Sequence, residues 1–330
     1  MRALIPFFAV IVLVLLAFAG VKMANLHYLF GVLIPYAALA IFITGFIYRI
    51  VQWGRSPVPF RIPTTCGQME SLPWIKQNKL ENPSNTVGVI GRMLLEVLFF
   101  RSLFRNIKTE FREGPKLSYG SDKWLWLAGL AFHWSFLFIL VRHLRFFMLE
   151  VPFAIQVMEG LDSFLQIGAP LLYITNAVIL AAVTFLVIRR FWIPQVRYIS
   201  LPADYFPLFL ILGIAISGVF MRYFQKVHVV GVKELGMGLV SFSPVIPEGI
   251  GSIFFIHLFL VSVLFAYFPF SKLMHMGGVF LSPTRNLANN SRAVRHINPW
   301  DHPVHVHTYE QYEDDFREKM KKAGIPVEKE

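Results

Sequence analysis

The segment AFHWSFLFILVRHLRFF, residues 131–147, is apolar enough to cross a bilayer, yet it carries two imidazoles, His133 and His143, ten residues apart. A second apolar segment, FFIHLFLVSVLFAYFPFSKLMH at residues 254–275, repeats the pattern with His257 and His275, eighteen apart. The fold turns on whether these four histidines converge.

The surroundings of both segments point to lipid as the solvent. The chain has 330 residues, 55% of them hydrophobic and 15% charged, and a soluble domain of that size cannot hide so much apolar surface. A single cysteine, Cys66, excludes a disulfide framework and a cysteine-held cluster within the chain. A formal charge of +11 fits basic loops beside a membrane better than a nucleic-acid surface.

A crossing needs roughly 20 predominantly apolar residues. Six segments qualify, at residues 3–21, 23–48, 124–147, 163–188, 205–221 and 249–271, so the expected fold is an all-α integral membrane protein of six transmembrane helices. The first has a long apolar core, lacks a small-residue cleavage site and runs at once into the second, which makes it a helix rather than a signal peptide. Four regions follow: two N-terminal transmembrane helices at 1–52, a loop at 53–122, a four-helix core at 123–275 and a C-terminal tail at 276–330. The loop opens on a Pro-punctuated stretch and continues as VGVIGRMLLEVLFFRSLFRNIKTEF, whose Arg92, Glu96, Arg101 and Arg105 argue for an interfacial amphipathic helix over a seventh span. The tail ends in YEQYEDDFREKMKKAG, acidic first and basic last, as a short helix with a favourable dipole would be.

Orientation follows from the basic residues. Arg49, Arg55, Arg61, Arg112, Lys116 and Lys123 flank the loop, Arg189, Arg190 and Arg197 lie between spans four and five, and Lys272, Arg285, Arg292 and Arg295 follow span six. All fall on one side of a six-span chain, which is then cytoplasmic together with both termini.

With that orientation, span three runs outward and span six inward. Antiparallel packing brings His133 level with His275 and His143 level with His257. A mismatch remains: ten residues of helix cover about 15 Å and eighteen about 27 Å. Pro269, between His257 and His275, offers a bend that shortens the second span. On a regular helix His257 and His275 point the same way, while His133 and His143 lie about 80° apart. Two facing imidazole pairs suit two stacked bis-histidine haems. Zinc wants three or four ligands at one point. Proton relays more often recruit intramembrane Asp or Glu, and for any single histidine a hydrogen bond between helices is the plain alternative. A transporter and a haem-free membrane anchor are the readings from other classes.

Arg142 and Arg145 flank His143, either to pair with haem propionates or a quinone head or to reach the interface with their charges. Lys272 beside His275 carries the same two readings. The connection at residues 222–249 is long enough to roof a quinone site with Tyr223, Lys226, His228 or Glu248, or to pack as an ordinary interface. In the tail, HINPWDHPVHVH holds His296, His302, His305 and His307, read as an exposed docking segment in preference to a metal site because a further ligand group is missing.

The paired ten- and eighteen-residue spacings resemble the dihaem cytochrome b family typified by the gamma subunit of respiratory nitrate reductase, over residues 120–280. The stretch FPFSKLMHMGGVFLSPTRNLANNSR at 268–292 and the tail after it are similar to a narrower branch, the cytochrome b subunits of sulfite-reduction-associated membrane complexes. That resemblance implies His133, His143, His257 and His275 as ligands of two b haems and menaquinol as electron donor. It also implies a cytoplasmic iron–sulfur subunit similar to heterodisulfide reductase, a second quinone-interacting membrane subunit, and external cytochrome c and iron–sulfur subunits. The expected function is transfer of electrons between the menaquinone pool and the iron–sulfur partner, without a substrate reaction completed on this chain alone.

Overall fold

The computed structural model describes residues 2–57, 61–62, 67–105, 108–114, 116–165, 170–294 and 303–329. Cys66, His296 and His302 lie outside them.

Six helices in the described residues are long and apolar enough to cross a membrane: Leu4–Met23, Leu29–Gly54, Lys123–Phe147, Ile174–Trp192, Pro202–Tyr223 and Ser252–Phe270. The protein is thus a multi-pass membrane protein with an all-α core. Six crossings leave both chain ends on one side, called here the terminal side. In detail, α1 (Leu4–Phe18) ends in a wide π-type turn, Ala19–Met23, and a second such turn, Leu29–Leu33, leads into α2 (Ile34–Gly54). On the terminal side come α3 (Thr86–Phe99), α4 (Arg101–Phe104) and the strands β1 (Lys108–Arg112) and β2 (Lys116–Gly120), paired antiparallel. Then follow α5 (Lys123–His143), α6 (Phe153–Asp162), α7 (Ile174–Trp192), α8 (Pro194–Ile199), α9 (Pro202–Tyr223), α10 (Val229–Val240) and α11 (Ser252–Tyr267). The short α12 (His275–Gly278) and the tail helix α13 (Tyr309–Lys322) complete the chain.

Packing sorts the spans into two groups that share α9. Helix α5 rests mainly on α7, α7 also packs on α9, and α11 is held by α2, α9 and α1. Their buried seam is mostly apolar, with Val183, Leu210, Phe255 and Leu260 fully covered and Ser217 and Ser262 among its few polar side chains. Elsewhere the spans turn Leu, Ile and Phe outward, as lipid-facing helices do. The two histidine-bearing helices, α5 and α11, therefore each have other principal partners.

Several expectations are corrected in detail. Span four begins at Ile174, eleven residues later than expected, because Asp162 fixes its start: the carboxylate accepts from the Thr175 N–H at 2.8 Å and from its hydroxyl at 2.6 Å. The connection expected as loop at 222–249 contains the helix α10, started by His228, whose Nδ1 accepts from the Gly231 N–H at 3.3 Å. The amphipathic helix expected over residues 87–111 ends at Phe99, and its last part forms a hairpin instead. Its charged face packs on protein. The buried Arg92 guanidinium donates to the carbonyls of Glu81 (3.0 Å), Thr284 (2.9 Å), Arg285 (3.0 Å) and Leu287 (2.9 Å). Glu96 pairs with Arg285 at 2.5 Å and accepts from the Ser102 N–H at 2.9 Å. Asn289 donates to Asn82 at 2.6 Å. Residues 284–289 of the tail are thereby clasped to the loop, while Val87, Ile90, Leu94 and Leu98 remain exposed on the opposite face of α3.

The sixth span breaks. After Tyr267 the chain makes a tight 3₁₀ turn, Phe268–Phe270, and becomes extended at Ser271 (φ −121°, ψ 176°) before a second tight turn, Lys272–Met274, delivers His275. Pro269 lacks the N–H that would continue the helix. Arg49 of α2 donates its Nε to the carbonyl of Pro269 at 3.3 Å. The regular geometry expected for His257 and His275 on one helix is therefore corrected: they belong to separate elements. Gly45 of α2 makes room for the break, since a Cβ there would lie 2.7 Å from Pro269 Cβ. Replacing Gly45 by Ala is expected to push Pro269 away and to destabilise by about 1–3 kcal/mol, read as a lower Tm of the detergent-purified protein; an unchanged Tm would show that the break tolerates displacement.

Candidate haem-binding site

The broken span brings the histidines together in two pairs. The ring centres of His133 and His275 are 6.0 Å apart with planes at 84°. Those of His143 and His257 are 6.5 Å apart with planes at 19°. Two metal–nitrogen bonds of about 2 Å on opposite sides of one ion, with roughly 1 Å more from each nitrogen to its ring centre, give about 6 Å between centres. Both pairs have that separation.

Each imidazole is tied at Nδ1. His133 bonds the Gly129 carbonyl at 2.7 Å, His143 that of Ile139 at 2.6 Å, and His275 that of Lys272 at 2.8 Å. A carbonyl only accepts, so Nδ1 carries the proton and Nε2 keeps its lone pair for a metal. His257 differs: its Nδ1 meets the Ser217 hydroxyl at 2.9 Å, and that hydroxyl donates onward to the Ile214 carbonyl at 3.0 Å. The result is again a free Nε2. Orientation of this kind is what metal-binding histidines ordinarily receive from their surroundings.

The donor set fits an axially ligated haem. His133 and His275 are exposed, whereas His143 and His257 are partly buried residues. Among the described residues no group of three or more His, Cys, Asp or Glu could hold an ion, which leaves a four-ligand zinc site without a basis and a two-ligand axial site with one. Aromatic edges frame the terminal-side pair: Phe100 and Phe132 lie 4.8 and 4.9 Å from His133. Phe100 reaches it from the α3–α4 elbow with a left-handed backbone (φ 51°), a conformation rare for a bulky residue. Two indoles of α5 pin the elbow, Trp126 to the Phe99 carbonyl at 2.7 Å and Trp134 to that of Leu98 at 3.0 Å. Lys272 pairs with Asp204 at 2.6 Å, which anchors the turn whose carbonyl orients His275.

On the far side, Arg142 and Arg145 are part of a larger polar network. Arg142 is buried, ion-paired to Asp162, bonded to Asn176 at 3.2 Å and stacked 3.5 Å over the Tyr173 ring. Arg222 covers the same ring at 3.9 Å. Arg145 pairs with Glu159, which also accepts from the Tyr173 hydroxyl; burial first, and that bond second, push the Tyr173 phenol above its ordinary pKa and keep it neutral. Tyr223 bonds the Leu171 carbonyl at 3.3 Å, so both it and His228 serve local structure. A cavity of about 170 Å³ opens beside this network, lined by Arg145, Phe146, Val151, Val229, Val230 and Lys233. Lys233 lines it, whereas Tyr223, Lys226, His228 and Glu248 are not among its walls. In the tail, His305 and His307 lie 4.6 Å apart and His307 approaches Asp315 at 3.7 Å.

Sequence reasoning missed Glu159, Asp162, Tyr173, Asn176 and Arg222 as members of one network. Asp162 and Glu159 were visible only as loop charges, and nothing in the sequence signalled that they fold onto α5. Ser217 gave no signal at all.

The pattern of the nitrate reductase gamma subunit family matches residues 95–296. The chain belongs to that family. It is also 46% identical over 280 residues to the Hdr-like menaquinol oxidoreductase cytochrome b-like subunit of Archaeoglobus fulgidus, with 83% of each chain covered. The corresponding protein of Archaeoglobus profundus is 41% identical over 286 residues, with 84% of each covered. In this family member the far-side network rests on a buried ion pair. Replacing Asp162 by Ala leaves Arg142 without its carboxylate and is expected to cost about 3–5 kcal/mol, measured as loss of thermal stability in detergent; replacing Arg145, whose side chain is a third exposed, should cost far less.

Proposed function

We propose that this chain is a dihaem cytochrome b that carries electrons from menaquinol to an iron–sulfur partner, as the DsrM-type subunit of a complex in dissimilatory sulfur metabolism. The observation that carries the reading is the paired geometry: two imidazole pairs, each with centres 6.0–6.5 Å apart and each Nδ1 hydrogen-bonded. His133 and His275 would hold one haem b, His143 and His257 the other. When bound, the haem irons supply one-electron transfer. The relatives' name, menaquinol oxidoreductase cytochrome b-like subunit, supports the donor.

The chain's own residues have distinct tasks in this reading. Arg145 and Lys233 are the two cations in the lining of an otherwise apolar cavity, a setting suited to the oxygens of a menaquinol head whose ring packs on Phe146, Val151, Val229 and Val230. Phe146 also lies 5.9 Å from His143, so oxidation there is adjacent to the far-side pair. Each menaquinol gives up two electrons and two protons, and the protons leave on the far, external side. Arg142 holds α5 to α6 and α7 through Asp162 and Asn176 and keeps His143 in place. The terminal side is cytoplasmic by its basic residues, the membrane is a prokaryotic cytoplasmic membrane, and α3 lies on its surface with Val87, Ile90, Leu94 and Leu98 toward lipid. The division into two leading spans (1–52), a cytoplasmic loop (53–122), a dihaem core (123–275) and a docking tail (276–330) follows. A DsrK-like iron–sulfur subunit docks on the loop and tail, and the complex includes a second quinone-interacting membrane subunit and external cytochrome c and iron–sulfur subunits.

A reduced-minus-oxidised optical spectrum and redox titration of the purified chain test the core of this reading. Two b-type components are expected. His133→Ala and His275→Ala should remove the same component, and His143→Ala and His257→Ala the other; a featureless spectrum would leave the haem-free anchor and the transporter, and loss of one component by both His133→Ala and His257→Ala would break the pairing. Deleting residues 303–330 should leave both components intact while the iron–sulfur subunit is lost on purification. Full copurification of that subunit would remove the tail from docking.

A further inference from the structure

Three of the four imidazoles are oriented by main-chain carbonyls, which substitution cannot change. At His257 alone a side chain takes part, the Ser217 hydroxyl at 2.9 Å beside the Ile214 carbonyl. Ser217 is buried in α9, and the next residue, Gly218, leaves room for the ring: a Cβ there would lie 3.3 Å from His257 Cε1 and 3.7 Å from its Nδ1. Gly218 therefore lets the imidazole approach α9, and Ser217 gives its N–H a partner at that approach.

A hydroxyl that already donates to the Ile214 carbonyl at 3.0 Å has its proton directed away and presents a lone pair to Nδ1. The stronger the acceptor at Nδ1, the more electron density Nε2 offers an iron. We infer that Ser217 and Gly218 form a seat that fixes the orientation and donor strength of His257, so that Ser217 sets the reduction potential of the far-side haem independently of the other. The inference rests on the dihaem reading above. Ser217 is a positioning residue: it acts on the iron through the imidazole.

The experiment is a potentiometric titration, followed optically and by the low-spin ferric EPR signals, of the full chain carrying Ser217→Ala, Ser217→Thr or Gly218→Ala. Without the hydroxyl, Nδ1 is left with the Ile214 carbonyl alone and Nε2 is the weaker donor, which favours the ferrous state. Ser217→Ala is expected to raise the midpoint potential of the component that His143→Ala removes and to move its EPR signal. The other component should stay in place. Ser217→Thr, which keeps the hydroxyl, should restore the wild-type potential, and Gly218→Ala should perturb the EPR signal of that same component by displacing the ring. Ser217→Ala with both potentials and both signals unchanged, or with both shifted together, would overturn the inference. Wild-type protein without two b-type components would instead defeat the dihaem reading on which it rests, so the two failures are distinguishable.

Discussion

The constraint on which the core depends is that two helices with different histidine spacings must meet twice at the same separation. Ten residues of regular helix on α5 cannot match eighteen on a second regular helix, because the axial lengths differ by about 12 Å. The chain resolves this by ending α11 at Tyr267 and inserting a Pro269 turn and an extended Ser271 before His275. Around that break, neighbouring elements supply what the helix lost: Arg49 donates to the Pro269 carbonyl, Gly45 yields space, and Asp204 anchors Lys272. These contacts come from α2 and α9, which are also among the elements that α11 packs against. The second leading span is thus part of the histidine geometry rather than an appendage to it.

The two ends of the site are built differently. On the far side, order comes from ion pairs and stacked rings joining α5, α6, α7 and α9: Arg142 with Asp162, Arg145 with Glu159, and Tyr173 between two guanidinium groups. Such a network is expensive to leave half-formed, since each unpaired charge would remain away from water. On the terminal side, order comes from main-chain acceptors. Arg92 gathers four carbonyls, and two tryptophans hold the elbow that sets Phe100 against His133. Ion pairs support this side too, Glu96 with Arg285 and Lys272 with Asp204, but the rings of the histidine pair are framed by neutral acceptors and aromatic edges.

Much of the fold was legible in the sequence because lipid imposes a simple rule: long apolar runs become spans. The all-α membrane class, the six crossings and the placement of His133 with His275 and His143 with His257 all follow from run length, antiparallel order and the proline at 269. Span four was misplaced at its start because hydropathy does not see a cap, and Asp162 acts from outside the apolar run. The hairpin and α10 were missed because residues 108–120 and 229–240 lack strong periodicity amid glycines and charges. Helix α3 was found, but its partner was not: Arg92 and Glu96 read as surface charges until residues 284–289 close over them. Contacts between residues nearly two hundred positions apart leave no trace in local pattern.

The same separation bears on the order in which the protein can be made. Arg92 and Glu96 leave the ribosome long before Thr284, Arg285 and Leu287, and His133 long before His275. Until span six is inserted, the loop holds a guanidinium without three of its four carbonyls and α5 holds an imidazole without its counterpart. The terminal-side half of the core is therefore completed last, by one event that brings in both the second imidazole and the segment that locks the loop. A chain that stops short of residue 284 lacks that lock, and its Arg92 face stays exposed, distinguishing an unfinished molecule from a finished one on the terminal side.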